Sequence, residues 1–250
     1  MANPFGGGDQ TLSKNANHTN QANLVFAVIP RSASKVVEVI NSLSNTGLTG
    51  AYDSDGYWHP NTTSRTTVEF DCGAGYTVTS SKTVISGWYY DSGTSSPDFA
   101  SSAGIRNSVA GTPWCIVNIP TDGSTCISQS RDNNFLAGPT TPTTSVTSHT
   151  AFAFATAQNS SGPAQKGWKR VGGSNTTFTP TAVTFSTGVN DTFNKVGFRN
   201  SSRFRFGYLF VYNAALSDAD INAIIDAPGS VLSYDAGSTF IPRRTLLGVG

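Results

Sequence analysis

The chain has little charge. Only 12% of its 250 residues are Asp, Glu, Lys or Arg, and the only two glutamates are Glu38 and Glu69. The formal net charge is +1, and no basic run is longer than a pair such as Arg243 and Arg244, so nothing here selects nucleic acid as a partner. The longest dense apolar run, residues 24–29, is far too short to cross a bilayer. No basic segment precedes that run, so neither a membrane partner nor a secretory signal is expected. Cysteine is scarce and odd in number: Cys72, Cys115 and Cys126. No CxxC or Cys/His spacing suggests zinc. If Asp122 and Gly123 form a two-residue hairpin turn, residue numbers across the ladder sum to 245. Cys115 then faces Ser130 and Cys126 faces Ile119, a register that disfavours a disulfide and leaves buried free thiols. The expectation is a protein made in a reducing host cytosol and displayed outside it. Catalytic motifs are missing as well. His18, His59 and His149 lie near no nucleophile elbow, no HExxH occurs, and the Gly6, Gly7, Gly8 run lacks the Lys-Ser/Thr of a phosphate loop.

Serine, threonine, asparagine and glycine fill the space that charge leaves, with 25 Gly and 12 Pro. With a hydrophobic fraction of 37%, such a chain suits one large all-β domain of many short strands joined by turn-rich loops. Residues 1–23 contain almost no apolar side chains and read as an unfolded leader. The run LVFAVIP (residues 24–30) reads as a buried strand. For residues 36–43, Val36, Val39, Ile40 and Leu43 fit a helix, while the β-branched pairs fit a strand; helix is the preferred reading. Residues 195–226 organise the rest. Phe204, Phe206, Tyr208, Phe210 and Tyr212 alternate as in a half-buried strand. A short helix follows, with Ser217 as N-cap, Asp218 and Asp220 in its first turn, and Ile221, Ile224 and Ile225 as its apolar stripe.

Four patches, in order, resemble laminin-G-like domains of the concanavalin A-like lectin/glucanase superfamily. Leu48, Gly50, Ala51 and Tyr52 are similar to that family's opening G-L-x-A-Y strand. Phe70, Asp71, Gly73, Tyr76 and Val78 resemble its F-D-G-x-x-D-Y-V hairpin, with Cys72 as an extra residue. Val84, Ile85, Ser86 and Trp88 resemble F-T-I-S-A-W-V, and FVYNAALSDADI (residues 210–221) matches the closing A-L-S-x-x-E/D-I strand and helix. The resemblance implies a two-sheet antiparallel jelly-roll sandwich with one short C-terminal helix and an N-terminal extension. It divides the chain into an arm at 1–46, the sandwich at 47–235 and a tail at 236–250.

Glucanases of this superfamily place two carboxylates on one strand face, about 5 Å apart for a retaining reaction. Only Glu69 and Asp71 approach that pattern here, and the resemblance places Asp71 in the core hairpin, where turn shaping is the better account of it. A glycoside hydrolase is therefore one alternative reading, and a stand-alone lectin is the other. Sugar binding needs flat rings beside amides, carboxylates and hydroxyls. The loop residues Asp53, Asp55, Tyr57 and Trp58 supply that mixture, with an exposed Tyr57–Trp58 pair as the platform. Tyr90 is a further candidate; it shares a face with the core residue Trp88, while Tyr89 points away. Asp53 and Asp55 open like a calcium loop, but Ser64 stands where the closing acid belongs. Calcium is thus the sole cofactor considered. The whole suggests a non-enzymatic adhesion module on a bacteriophage virion. Its arm would hold other virion proteins or sister subunits, and a host-surface glycan is the candidate ligand.

Overall fold

The computed structural model describes residues 3–5, 11–61, 66–78, 81–90, 101–106, 114–119, 127–132, 135–136, 150–158, 165–171, 174–178, 191–200 and 204–235. In chain order the first strands are β1 (Leu12–Lys14), β2 (Leu24–Ser32), β3 (Lys35–Glu38), β4 (Leu43–Thr46), β5 (Gly50–Tyr52) and β6 (Trp58–Pro60). The middle of the chain supplies β7 (Thr66–Val78), β8 (Lys82–Tyr90), β9 (Ser101–Arg106), β10 (Trp114–Ile119), β11 (Ile127–Asp132) and β12 (Phe135–Leu136). There follow β13 (Thr150–Gln158), β14 (Gln165–Val171), β15 (Ser174–Phe178), β16 (Asp191–Asn200) and β17 (Phe204–Tyr212). Helix α1 (Asp218–Asp226) and β18 (Leu232–Tyr234) complete the described chain.

These strands make an antiparallel two-sheet sandwich of jelly-roll type. The larger sheet runs β15-β14-β13-β8-β17-β2-β3-β4, with β6 added to β17 and β5 to β6. The smaller runs β12-β11-β10-β9-β16-β7, and β1 pairs with β18 outside both. Between the sheets lie Trp58, Val68, Phe70, Trp88, Ile105, Val196, Phe198 and Phe206, all buried. Phe198 and Phe206 stack across this core with centroids 3.7 Å apart. The larger sheet is covered on its other face too, where Tyr208, Phe210 and Tyr212 meet Ile221, Ile224 and Ile225 of α1. Ser217 caps that helix as expected: its Oγ accepts from the Asp220 N–H at 3.2 Å.

Strand β17 departs from strict alternation. Phe204 and Phe206 enter the inter-sheet core, but Tyr208, Phe210 and Tyr212 point to the helix side. The ladder to β8 slips between Phe206 and Tyr208, a bulge that moves every later side chain to the other face. Leu209 and Val211 take over the inner face. Two glycines make this possible. A Cβ on Gly207 would lie 2.9 Å from the Tyr57 ring, and one on Gly87 would lie 2.1 Å from the Tyr208 ring.

Three expectations about the leader and the first strands change. Residues 24–46 are no part of an arm: β2 pairs with β17 at the centre of the larger sheet, and Leu24, Phe26, Ala27, Val28 and Ile29 are buried. A boundary at residue 46 therefore falls inside the sheet, because the apolar face of β2 completes both hydrophobic layers. Residues 36–43 form no helix but the hairpin of β3 and β4. The buried Glu38 carboxylate dictates this turn by gathering the N–H groups of Ala27, Ile40 and Asn41 and the Asn41 amide. Ser42, at φ +56°, completes the reversal in the left-handed region. The β10–β11 register, by contrast, is the expected one, with Cys115 opposite Ser130. Cys126, the Asp122–Gly123 turn and the 236–250 tail lie outside the described residues.

Candidate functional site

The predicted loop is closed on itself. Asp53 Oδ1 accepts from the Tyr57 N–H at 2.9 Å, and Gly56, at φ +87°, donates its N–H to the Asp53 carbonyl at 3.1 Å. Asp53 Oδ2 takes the Arg205 guanidinium at 2.8 Å, so both of its oxygens are engaged. Asn3 reaches in from the chain start. Its amide donates to the carbonyls of Gly56 (2.7 Å) and Gly207 (3.0 Å), tying the loop to the β17 bulge. The Asp55 side chain is exposed. Among the described residues, no group of three or more His, Cys, Asp or Glu side chains converges as a metal site.

No exposed aromatic pair results. Trp58 is fully buried between the sheets, packs edge-on against Phe198, and donates its indole N–H to the Ala33 carbonyl at 3.0 Å. Tyr57 is 6% exposed. Burial first, then the Asp53 and Asp55 carboxylates, push its phenol pKa upward. The physical reason is the Phe206–Trp58 pairing of β6 with β17, which turns the Trp58 side chain inward. Tyr90 is half-buried and stacks on Phe204 at 5.1 Å, on the Trp88 side of β8 as expected. Tyr89 points away, 5.8 Å from the Tyr57 ring and under the Arg205 guanidinium. These residues are packing and ion-pair partners of one another.

Glu69 and Asp71 stand on the outer face of β7, since Val68 and Phe70 face the core. Each is matched by a cation from a neighbouring strand. Arg106 grips Glu69 with two bonds, at 2.6 and 2.5 Å, and Lys195 meets Asp71 at 2.7 Å. A hydrolytic pair must leave one carboxyl to protonate and the other to attack. Here both oxygens of Glu69 lie in a bidentate clamp, which leaves neither free to attack a sugar. Cys72 is a half-buried free thiol, pushed up to about 12 by burial and by the Glu38 and Asp71 charges, so it is a poor nucleophile.

The leader, expected to be unfolded, builds the concavity that the loop lacks. Asn15 docks on the chain after α1: its N–H donates to the Val231 carbonyl at 3.1 Å and its amide to the Ser230 carbonyl at 2.8 Å. Asn15 Oδ1 then accepts from the Asn17 N–H at 3.0 Å, and the His18 N–H donates to the Asn15 carbonyl. These turns set Asn17, His18, Thr19 and Asn20 opposite Asp220, Ala223 and Ile224 across an open cleft of about 220 Å³. The Asn17, Thr19 and Asn20 side chains make no hydrogen bond to other described residues and are free for a ligand. His18 Nε2 lies 3.1 Å from the Tyr212 hydroxyl. Burial lowers the imidazole pKa, partly opposed by Asp220, while burial raises that of the Tyr212 phenol. The phenol therefore stays protonated, and it shares one hydrogen bond with Nε2 whose donor is set by the imidazole tautomer. Sequence reasoning set His18 aside as part of the leader. The only signal was compositional, a cluster of four side-chain amides and a histidine within residues 15–21.

A second cleft, of about 240 Å³, opens beside β3 and β4 and includes Arg31, Lys35 and Glu38. Its carboxylate is the turn-forming Glu38, already held by four donors.

No family model and no curated protein matches the sequence. Among solved structures the chain is similar to the Trypanosoma rangeli sialidase, at 13% identity and a TM-score of 0.47. That match covers 83% of this chain and 33% of that one, so the chain spans about a third of the sialidase. It is also similar to the CBM40 of the Ruminococcus gnavus IT-sialidase bound to alpha2,3 sialyllactose, at 13% identity and a TM-score of 0.40. There it covers 66% of this chain and 99% of that one. For the Caenorhabditis elegans galectin LEC-6 the values are 9% and 0.35, over 58% of this chain and 90% of the other.

Proposed function

We propose that this chain is a non-enzymatic carbohydrate-binding module displayed on a surface, and that the cleft between residues 15–20 and α1 holds the sugar. The observation that carries this is the lining of the cleft. Uncommitted amides and a hydroxyl (Asn17, Thr19 and Asn20) face one carboxylate and an apolar patch, Ala223 and Ile224. Sugar hydroxyls both donate and accept, as do amides and hydroxyls, while a ring's C–H face suits the aliphatic wall. The ion pairs on Glu69 and Asp71 speak against hydrolysis at that alternative site. Particle-surface display, a phage virion included, is the setting we propose on compositional grounds alone. Attachment to other virion proteins or sister subunits by a free arm of 46 residues no longer enters that case, because residues 24–46 are built into the larger sheet.

The test is a glycan array with the full chain, followed by calorimetry on any hit with the native protein and Asn17→Ala. Binding that Asn17→Ala weakens at least about 5-fold, roughly 1 kcal/mol, supports the cleft. Binding untouched by this change removes the cleft from the proposal. Release of free sugar from any bound glycan overturns the non-enzymatic reading.

A further inference from the structure

The same cleft has a charge pattern that narrows its ligand. Resting on the carbohydrate-binding reading, we infer that it selects an uncharged sugar ring over sugars bearing carboxylate, sulfate or phosphate. Among the residues lining it, Asp220 is the one formal charge at neutral pH, and no lysine or arginine lines it. An anionic sugar would thus meet a carboxylate with no cation to offset it. The other titratable group facing the cleft, His18, is turned to the buried Tyr212 hydroxyl and kept uncharged by its partial burial.

The remaining polar groups point the same way. Asn17, Thr19 and Asn20 carry both donors and acceptors, which complement hydroxyls without demanding charge. Asp220 accepts one hydrogen bond from Ser217 Oγ, at 2.6 Å through Oδ2. A carboxylate has about four lone-pair sites, so capacity remains for sugar hydroxyls. At about 220 Å³ the cleft is smaller than sites for drug-sized ligands, roughly 300–1,000 Å³. It therefore suits one ring at a chain end, with the rest of the glycan outside.

The experiment uses full-length ¹⁵N-labelled protein at about pH 7.5. Three matched pairs of probes are titrated: the methyl glycosides of glucose, galactose and mannose, each beside its uronate, which carries a carboxylate in place of the C6 hydroxymethyl. The expected result is that at least one neutral member shifts the amides of residues 17–20 and 223–224. Its uronate should bind at least about 10-fold more weakly, as one uncompensated charge contact implies. Asp220→Asn, which keeps an acceptor for Ser217, should narrow that gap to within about 3-fold. A uronate that binds the cleft as tightly as its neutral partner overturns the selectivity and leaves the carbohydrate site standing. Neutral sugars that shift only amides elsewhere, or none at all, overturn the cleft itself. If Asp220→Asn disturbs the helix cap, the paired affinities of the native protein still decide.

Discussion

Two polar stretches, residues 52–58 and residues 15–20, exchange the roles their compositions suggest. The first mixes Tyr, Trp and Asp like a binding loop and is packed away. The second has almost nothing to bury and forms a cleft wall. The difference lies in what waits for each side chain in three dimensions. The 52–58 loop borders β6, which pairs with β17 and delivers Trp58 to an inter-sheet space lined by Phe198 and Phe206. Residues 15–20 meet no such space, so the Asn15 amide and backbone turns hold them to the carbonyls after α1, and the Asn17 and Asn20 amides stay outside. Rings fold where room exists for them, whereas amides fold wherever unpaired carbonyls wait.

The contrast can be broken most forcefully at Trp58. Trp58→Ala should lower the unfolding free energy by about 3–5 kcal/mol, read from urea midpoints, because it empties core and orphans the Ala33 carbonyl. A loss below about 1 kcal/mol would restore Trp58 to the surface. Asn3→Ala comes next, at about 1–3 kcal/mol, since two carbonyls lose their donor near the β17 bulge. Its effect should reach the loop, seen as faster amide exchange at Tyr57.

A smaller effect concerns acid. The His18 pKa is lowered by folding, so the unfolded chain takes up that proton first as pH falls below about 6.5. Its contribution is complete above that pH, declines beneath it, and levels off below the folded pKa. The stability lost between about pH 7.5 and 5.5 should therefore be smaller in His18→Gln than in the native protein; an equal loss would mean that His18 is not shielded. The smallest change in stability, within about 0.5 kcal/mol, is expected for Asn17→Ala. The same variant should lose glycan affinity, so it separates the role of the cleft wall from the core role of Trp58.

Legibility from sequence followed the range of the interactions. Helix α1 was readable because Ser217, Asp220 and the three isoleucines lie within nine residues of one another. The Cys115–Ser130 register was readable from one local turn. The two-sheet sandwich was readable because the strand patterns and their order agreed. The faces of β17 were not, because one extra residue at Gly207 reverses the parity of all that follow. Residues 36–43 misled because a carboxylate at Glu38 reads as surface, whereas here it is buried among four donors supplied in part by β2. The cleft depended on Asn15 meeting Ser230, a contact between opposite ends of the chain that no local pattern announces.

Strand β2 has a consequence for how the molecule comes into being. It has β3 on one edge and β17 on the other, with Phe26 opposite Val211, so one edge of a strand made early must wait for a strand made nearly last. Until then β2 can pair only with β3, and a nascent chain presents its other edge, with Leu24 and Phe26, as an open adhesive edge. Closure of so long a loop places folding among the slow, non-local β topologies, in the millisecond-to-second range. Yield during synthesis should then depend on temperature and chain concentration more steeply than the stability of the finished fold does.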